Sequence, residues 1–489
     1  MQGNLMMAGN PRYQPQQLVR VFGYDNLYEP YVEVELATLQ TLCEFGIMPE
    51  EDYNKISGAI QLALKEISTS EVDELEREVT KHDIRALVQI IQRIVGPEVG
   101  RWVHVPLTSY DVIDTARALQ FLRAFEVLAP SITQVLTEMN DKILKFADTR
   151  QIGRTHGQHA LPITVGFWLA TINQRLAYNF SEMCRYAQGL VGKISGAVGA
   201  YNAQVGLGIF GHIGQDGTKR FEDEVLKKIG LKPAPISTQI LPPEPVAYFL
   251  FSCTMMSASI AQFGRDCRHL MRSEIGEINE AFSAGQVGSS TMAHKRNPIN
   301  FENLEGMWLR TKNEFGKVFD TLISEHQRDL VGSCVARDLP IICINLQQQL
   351  NTLLRKSGDG TFLSKINVDI ERCQANLEQS ADFVIAEPLY IALQMAGYAG
   401  DAHHLVNHTL MPIAKEMGID LFRAAEINAD SNPELKIALA QIPDEVKSLL
   451  QEPKNYIGAS KEKALSTITY VEGIIKNWEY ERLALEARK

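Results

Sequence analysis

The run Gly288-Ser289-Ser290-Thr291-Met292-Ala293-His294-Lys295-Arg296-Asn297-Pro298 gathers two serines, a histidine, a lysine and an arginine between a glycine and a proline. The seven residues ahead of it, Ala281-Phe282-Ser283-Ala284-Gly285-Gln286-Val287, are mostly small. Behind it, over residues 299–317, Phe301, Leu304, Met307 and Trp308 recur at helical spacing. Glycines let a backbone close over a ligand, and its N–H groups can then face an anion. The chemistry open to such a loop is anion binding backed by cationic side chains. A plain connector between two helices is the competing reading of the same residues.

Three other groups could join that chemistry. Thr108 and Ser109 end the break Trp102-Val103-His104-Val105-Pro106-Leu107-Thr108-Ser109, where either hydroxyl can cap a following helix with Asp111 in its first turn. His156 falls in a second break, Gln151-Ile152-Gly153-Arg154-Thr155-His156-Gly157-Gln158-His159. Arg328, Ser333 and Arg337 form a pattern R-D-x-x-x-S-x-x-x-R, and guanidinium forks suit phosphate oxygens. A surface salt-bridge network would account for the same arginines. Gly192-Lys193-Ile194 invites a phosphate-loop reading, but Ile194 stands where serine or threonine is required and the spaced glycine is missing, which excludes it.

The elements that must position these groups read as helices. Residues 28–45 and 51–67 are amphipathic, the second opening on an acidic first turn. Residues 71–95 read as a third helix with Leu75, Val79, Leu87, Ile91 and Ile94 on one face, carrying His82 and Asp83. Long helices follow over 112–147, over 163–191 behind Pro162, and over 246–282, 299–324 and 336–354. No credible alternating β-pattern or short-period repeat is present. The fold class is all-α, and helices of this length predict a bundle. Composition shifts at Lys356-Ser357-Gly358-Asp359-Gly360, which divides the chain into an N-terminal helical domain (1–105), a central long-helix bundle (106–357) and a C-terminal helical domain (358–489).

The 489 residues carry a formal charge of -11, which argues against a general nucleic-acid binder but not against a local cationic pocket. Seven cysteines without a C-x-x-C pair suggest neither a disulfide framework nor a zinc site, and suit a reducing cytoplasm. Residues 1–17 are polar and lack the apolar core of a signal peptide. Residues 245–264 are uncharged and long enough to span a bilayer. Their serines, and the unbroken continuation into Arg265-Asp266-Cys267-Arg268, favour a helix buried in a bundle, with no membrane.

The loop at 288–298 resembles the signature of the fumarase/aspartase superfamily, G-S-S-x-M-P-x-K-x-N-P, departing from it at Ala293, where proline is usual. Within that superfamily, Arg12-Tyr13, Lys81-His82-Asp83, Trp102-Val103-His104, Leu107-Thr108-Ser109 and Gly153-Arg154-Thr155-His156-Gly157-Gln158 resemble the adenylosuccinate lyase family. Gly192 to Gly199, and Gln327-Arg328-Asp329-Leu330 with Ser333 and Arg337, do so as well. The resemblance implies a homotetramer whose long central bundle brings three signature regions together from different subunits. The reaction implied is elimination of fumarate from a succinyl group on nitrogen, giving AMP from adenylosuccinate or the carboxamide product (AICAR) from succinyl-aminoimidazole-carboxamide ribotide (SAICAR).

By position in the family pattern, Ser289 is the base and His156 the acid. Lys295 supports the serine alkoxide and the developing carboxylate charge, and His82 orients His156 or the substrate. Arg12, Tyr13, Lys81, Asp83, Thr108, Ser109, Gln239, Ser290, Asn297, Arg328, Ser333 and Arg337 carry over as substrate-binding. Two departures bear on this set. Lys81 stands where arginine is frequent, and Leu241-Pro242-Pro243-Glu244-Pro245 follows Gln239 where polar and basic residues are more usual. No residue pattern asks for a metal or an organic cofactor.

The rival readings are another lyase or cycloisomerase of the superfamily, such as argininosuccinate lyase or carboxymuconate cycloisomerase, and a catalytically silent helical scaffold. The two arginines at 328 and 337 speak against the first pair, whose substrates lack phosphate. Retention of Ser289, His156 and Lys295 speaks against the scaffold.

Overall fold

A computed structural model describes residues 7–209, 220–280 and 295–486 of the chain. The N-terminal region is built on helix α1 (Glu29–Glu44), which buries Val32, Val34, Leu39 and Leu42, and α2 (Asp83–Val95), whose Ile84, Leu87, Val88, Ile91 and Val95 form one apolar face. Two stretches expected as single helices are broken. Residues 51–67 divide into Glu50–Tyr53 and Gly58–Lys65, because Ser57 Oγ accepts the Ile60 N–H at 3.3 Å and starts a new helix. Residues 71–95 divide at Lys81, which is left-handed with φ 52°. His82 is therefore not mid-helix but caps α2, its Nδ1 accepting the Arg85 N–H at 3.4 Å.

The central region begins with α3 (Ser109–Lys145), capped at Thr108 as its sequence suggests. The break that follows is a β-hairpin rather than a loop: β1 (Arg150–Thr155) pairs antiparallel with β2 (Gln158–Thr164). Pro162 lies opposite Ile152 in this ribbon and does not open a helix. At the tip, His156 and Gly157 have φ of 54° and 76°. Two successive positive φ values are what a tight two-residue hairpin turn requires, and glycine supplies the second without strain. Local turn geometry thus outweighs the surrounding helical pattern.

Helices α4 (Val165–Gln188), α5 (Glu244–Leu270), α6 (Ile299–Glu314) and α7 (Ile341–Leu354) complete the bundle. α5 ends at Leu270, short of the expected 282. It is long and apolar enough to cross a membrane by composition. Its Phe249, Leu250, Cys253, Met256, Ile260 and Phe263 are instead buried against protein neighbours. Side chains of neighbouring helices bond to polar groups along it. Asn179 Nδ2 donates to Ser259 Oγ at 2.8 Å, and Gln349 Nε2 to the carbonyls of Ser257 (3.2 Å) and Leu304 (2.8 Å). Gly264 lets α6 approach: a Cβ there would stand 2.9 Å from Leu304 Cβ and from the Phe301 carbonyl.

A second apolar cluster, including Ile385, Leu389, Leu393, Leu405, Leu421 and Leu435, forms among shorter C-terminal helices. The chain then returns. Helix α8 (Ser460–Glu486) lies along α3 and α4, burying Ala464 and Val471 in the main core and setting Trp478 against Phe180 at 5.8 Å. Among the described residues the strands make only four two-stranded ribbons, so the architecture is all-α.

Candidate active site

The N-terminus of α2 and that of α3 open onto one cleft of about 940 Å³. His82 and Asp83 reach it from α2, and Thr108 and Ser109 from α3. Gln239 lines it from the irregular segment before α5, and Arg328, Ser333 and Arg337 from the connection between α6 and α7. Eight of the candidate residues, scattered over the sequence from 82 to 337, are thereby brought to a single concavity. Arg328 Nη1 donates to Gln239 Oε1 at 2.9 Å, and its guanidinium lies 3.7 Å from the Tyr110 ring centroid. His82 Nδ1 lies 3.4 Å from the Arg85 N–H and 3.3 Å from Asp83 Oδ1, so the ring is held at the mouth of α2.

Tyr24, Tyr28 and Tyr31, with Asp73 and Glu76, also line the cleft. Tyr24 donates to Asp73 Oδ2 at 2.8 Å. Burial, reinforced by Asp73, pushes its phenol up to about 12, and burial pushes that of Tyr31 up to about 12 as well. Tyr28 is raised further, again by burial first. These phenols stay protonated near neutral pH, so they act as hydrogen-bond donors and not as bases.

A buried knot fixes the wall that holds Thr108 and Ser109. Asp111 Oδ2 accepts the Thr108 N–H at 2.8 Å, and its Oδ1 accepts those of Ser195 (3.0 Å) and Gly196 (3.2 Å). Lys193 Nζ forms an ion pair with the same carboxylate, both side chains fully buried. The N–H groups of this glycine-rich stretch are thus held by an internal carboxylate, in line with its exclusion as a phosphate loop. Ser195 Oγ meets Ser237 Oγ at 2.7 Å, which joins the knot to the segment carrying Gln239.

The remaining candidates among the described residues do not line the cleft. Arg12 and Tyr13 form a short turn beyond Met7 and Ala8, which do line it; the Arg310 guanidinium lies 4.9 Å from the Tyr13 ring centroid. Lys81 Nζ is bonded to the Arg77 carbonyl. His156 is exposed at the hairpin tip, outside the cleft of its own chain. Lys295 and Asn297 lie just before α6, whose first N–H groups are capped by Glu280 (2.8 Å to Asn300 N, 3.1 Å to Phe301 N). Ser289, Ser290 and Ala293 lie outside the described residues.

The hairpin carrying His156 is anchored along β1. Arg154 donates to Glu277 through Nη2 (2.7 Å to Oε1) and Nη1 (3.1 Å to Oε2), and Gln151 and Asn376 donate to the same carboxylate at 2.7 and 2.8 Å. Arg154 Nη2 also faces His159 Nε2 at 3.4 Å, which leaves His159 Nδ1–H to donate to Ser380 Oγ at 2.7 Å. Burial and the Arg154 charge hold the His159 pKa below its usual value.

The profile of the lyase family matches residues 12–311. The adenylosuccinate lyase of Archaeoglobus fulgidus is 31% identical over 471 residues, covering 95% of this chain and 98% of that one. That of Pyrococcus abyssi is 32% identical with the same coverage, and that of Bacillus subtilis 30% identical over 83% of this chain and 88% of its own. The chain belongs to the adenylosuccinate lyase family. Among solved structures, the 3-carboxy-cis,cis-muconate lactonizing enzyme of Pseudomonas putida superposes with a TM-score of 0.75 over 94% of this chain and 98% of that one, at 22% identity. A fumarate lyase from Mesorhizobium sp. BNC1 gives 0.74 with the same coverage and identity. At this identity the likeness establishes the fold alone.

Several residues of this family member's site carry no sequence signal of their own. Tyr110, Arg117, Tyr24 and Asp73 line the cleft, yet each reads along the chain as an ordinary helix or loop residue. Only the adjacency of Tyr110 to Thr108-Ser109 could have drawn attention to it. Asp111 reads as a first-turn acid, and its grip on Lys193, Ser195 and Gly196 depends on the fold.

Proposed function

We propose that this chain eliminates fumarate from adenylosuccinate to give AMP, and from SAICAR to give AICAR. The observation that carries the reading is the convergence of Arg328 and Arg337 with His82, Asp83, Thr108, Ser109 and Gln239 on one cleft in a chain of this family. Arginine forks suit the nucleotide phosphate, and the hydroxyl and amide groups suit the carboxylates and ribose. Arg12, Tyr13, Lys81, Ser290, Asn297 and Ser333 complete the substrate-binding set.

The reaction removes a weakly acidic proton from the carbon beside a carboxylate. Ser289 takes that proton, and the electron pair moves onto the carboxylate as an aci-anion. Collapse of the anion forms the fumarate double bond and breaks the C–N bond, while His156 delivers a proton to the departing nitrogen. Each proton transfer contributes about 10²–10⁴-fold. Lys295 and the loop N–H groups stabilise the serine alkoxide and the aci-anion, and His82 orients the acid or the substrate.

The protein works as a homotetramer in the cytoplasm, with each site assembled from several subunits. The exposed position of His156 on an anchored hairpin, outside its own chain's cleft, supports this reading. Domains spanning 1–105, 106–357 and 358–489 are the corresponding division. The test is direct. Purified protein is mixed with adenylosuccinate without added metal, and AMP and fumarate are assayed. Stoichiometric products are expected. No turnover in folded, oligomeric protein would reject the reading and send the assay to argininosuccinate and carboxymuconate.

A further inference from the structure

Arg328 is held differently from the ion-paired arginines such as Arg154. Among the described residues it makes no ion pair with a carboxylate. Its neighbour Asp329 is occupied elsewhere, accepting the N–H groups of Glu325 (2.8 Å) and Val331 (2.6 Å) and the Ser324 hydroxyl (2.9 Å). The guanidinium is held instead by a neutral amide, Gln239 Oε1 at 2.9 Å, and by the face of Tyr110 at 3.7 Å. Its Nε is buried with no hydrogen-bond acceptor among the described residues. A ring face offsets part of the lost solvation of such a cation without neutralising it. It also fixes the guanidinium plane, so that the free N–H groups keep one direction before a ligand arrives.

From this we infer that Tyr110 is the positioning residue for Arg328: its ring pre-organises the guanidinium for a phosphomonoester and so sets the affinity for the nucleotide. Tyr110 occupies the first turn of α3, directly after Thr108 and Ser109 and directly before Asp111, whose carboxylate anchors that turn. The ring therefore stands on a fixed support, while Arg337, which is exposed, has no such platform among the described residues. The inference rests on the proposed function for its substrate, but not for the contact itself.

The experiment compares Tyr110→Phe, Tyr110→Leu and Arg328→Lys with the wild type, alone and with Leu and Lys combined. Leucine fills the space without a π face, which guards against a loss caused by poor folding. Tyr110→Leu is expected to raise KM for adenylosuccinate about tenfold, with the loss in KM rather than kcat, and Tyr110→Phe to restore it. Arg328→Lys should cost far less on the Leu background than alone, because the ring has no guanidinium to hold. An unchanged KM in Tyr110→Leu, a loss confined to kcat, or additive losses in the double variant would overturn the inference. If the wild type does not cleave adenylosuccinate, the proposed function fails, and Tyr110 is judged by calorimetric titration with inorganic phosphate. Weaker phosphate binding in Tyr110→Leu than in wild type then sustains the inference. Equal binding in the two, or none in either, overturns it.

Discussion

Arg154 and Glu277 stand 123 residues apart in sequence and meet as a fork, with Nη2 2.7 Å from one carboxylate oxygen and Nη1 3.1 Å from the other. Glu277 is fully buried and also accepts from Gln151 and Asn376, so all four contacts converge on one charge. The pair ties β1, two residues from His156, to the segment that follows α5. Removing the charge by Glu277→Gln leaves Arg154 unpaired in a site where it is only 13% exposed. Breaking a buried pair costs about 3–5 kcal/mol. Urea unfolding should show a loss of that order; a loss below about 1 kcal/mol would mean that water or another group takes over from Glu277.

The same hairpin should be sensitive to acid. The His159 pKa is depressed in the folded chain relative to 6.5, so the unfolded chain binds more protons as pH falls below that value. The stability contributed by neutral His159 is complete above about pH 6.5 and is lost as pH falls through the folded value. Wild type should therefore lose thermal stability below pH 6.5 more steeply than His159→Gln, which cannot titrate. Parallel pH profiles for the two would show that protonation of His159 is not resisted.

If Ser289 is the base proposed above, Ser289→Ala should abolish turnover while leaving substrate binding largely intact, because a base takes a proton and does not anchor the ligand. His156→Ala should lower kcat by about 10²–10⁴-fold. If sites are shared between subunits, mixing the two inactive proteins under subunit exchange should recover part of the activity. No recovery in verified mixed oligomers would place both residues in a site built by one chain. Normal turnover in Ser289→Ala would remove it as the base.

Asp111 holds a buried lysine and three backbone N–H groups at once. Asp111→Asn leaves Lys193 charged without a counter-ion and should destabilise the protein by about 3–5 kcal/mol. KM should rise as well, since Thr108, Ser109 and Gln239 lean on this knot. Adding Lys193→Met should recover most of the stability by removing the orphaned charge. A double variant as unstable as the single one would show that the backbone bonds to Asp111, rather than the charge, hold the region.

What the sequence determined by itself is the helical period of the long elements, the residue run at 288–298 and the residue types at three breaks. Helical periodicity is local, since side chains three and four apart must share a face wherever the chain goes. The family pattern was legible for the same reason, as a run of adjacent residues with its own chemistry. The His156 turn was not, because a two-residue hairpin is specified by two backbone dihedrals and by strand pairing, which the apolar pattern does not encode. Lys81 broke an apparently continuous helix in the same way, by a single left-handed residue.

Only the tertiary structure decided which residues meet. Arg328 stacks on Tyr110, Arg154 pairs with Glu277 and Lys193 with Asp111, across separations no local pattern carries. It also set His156 outside the cleft that gathers the arginines. The physical reason is that a buried charge has to find its counter-charge or hydrogen-bond partners in the folded interior, and it takes them from whichever elements the packing of the long helices brings close.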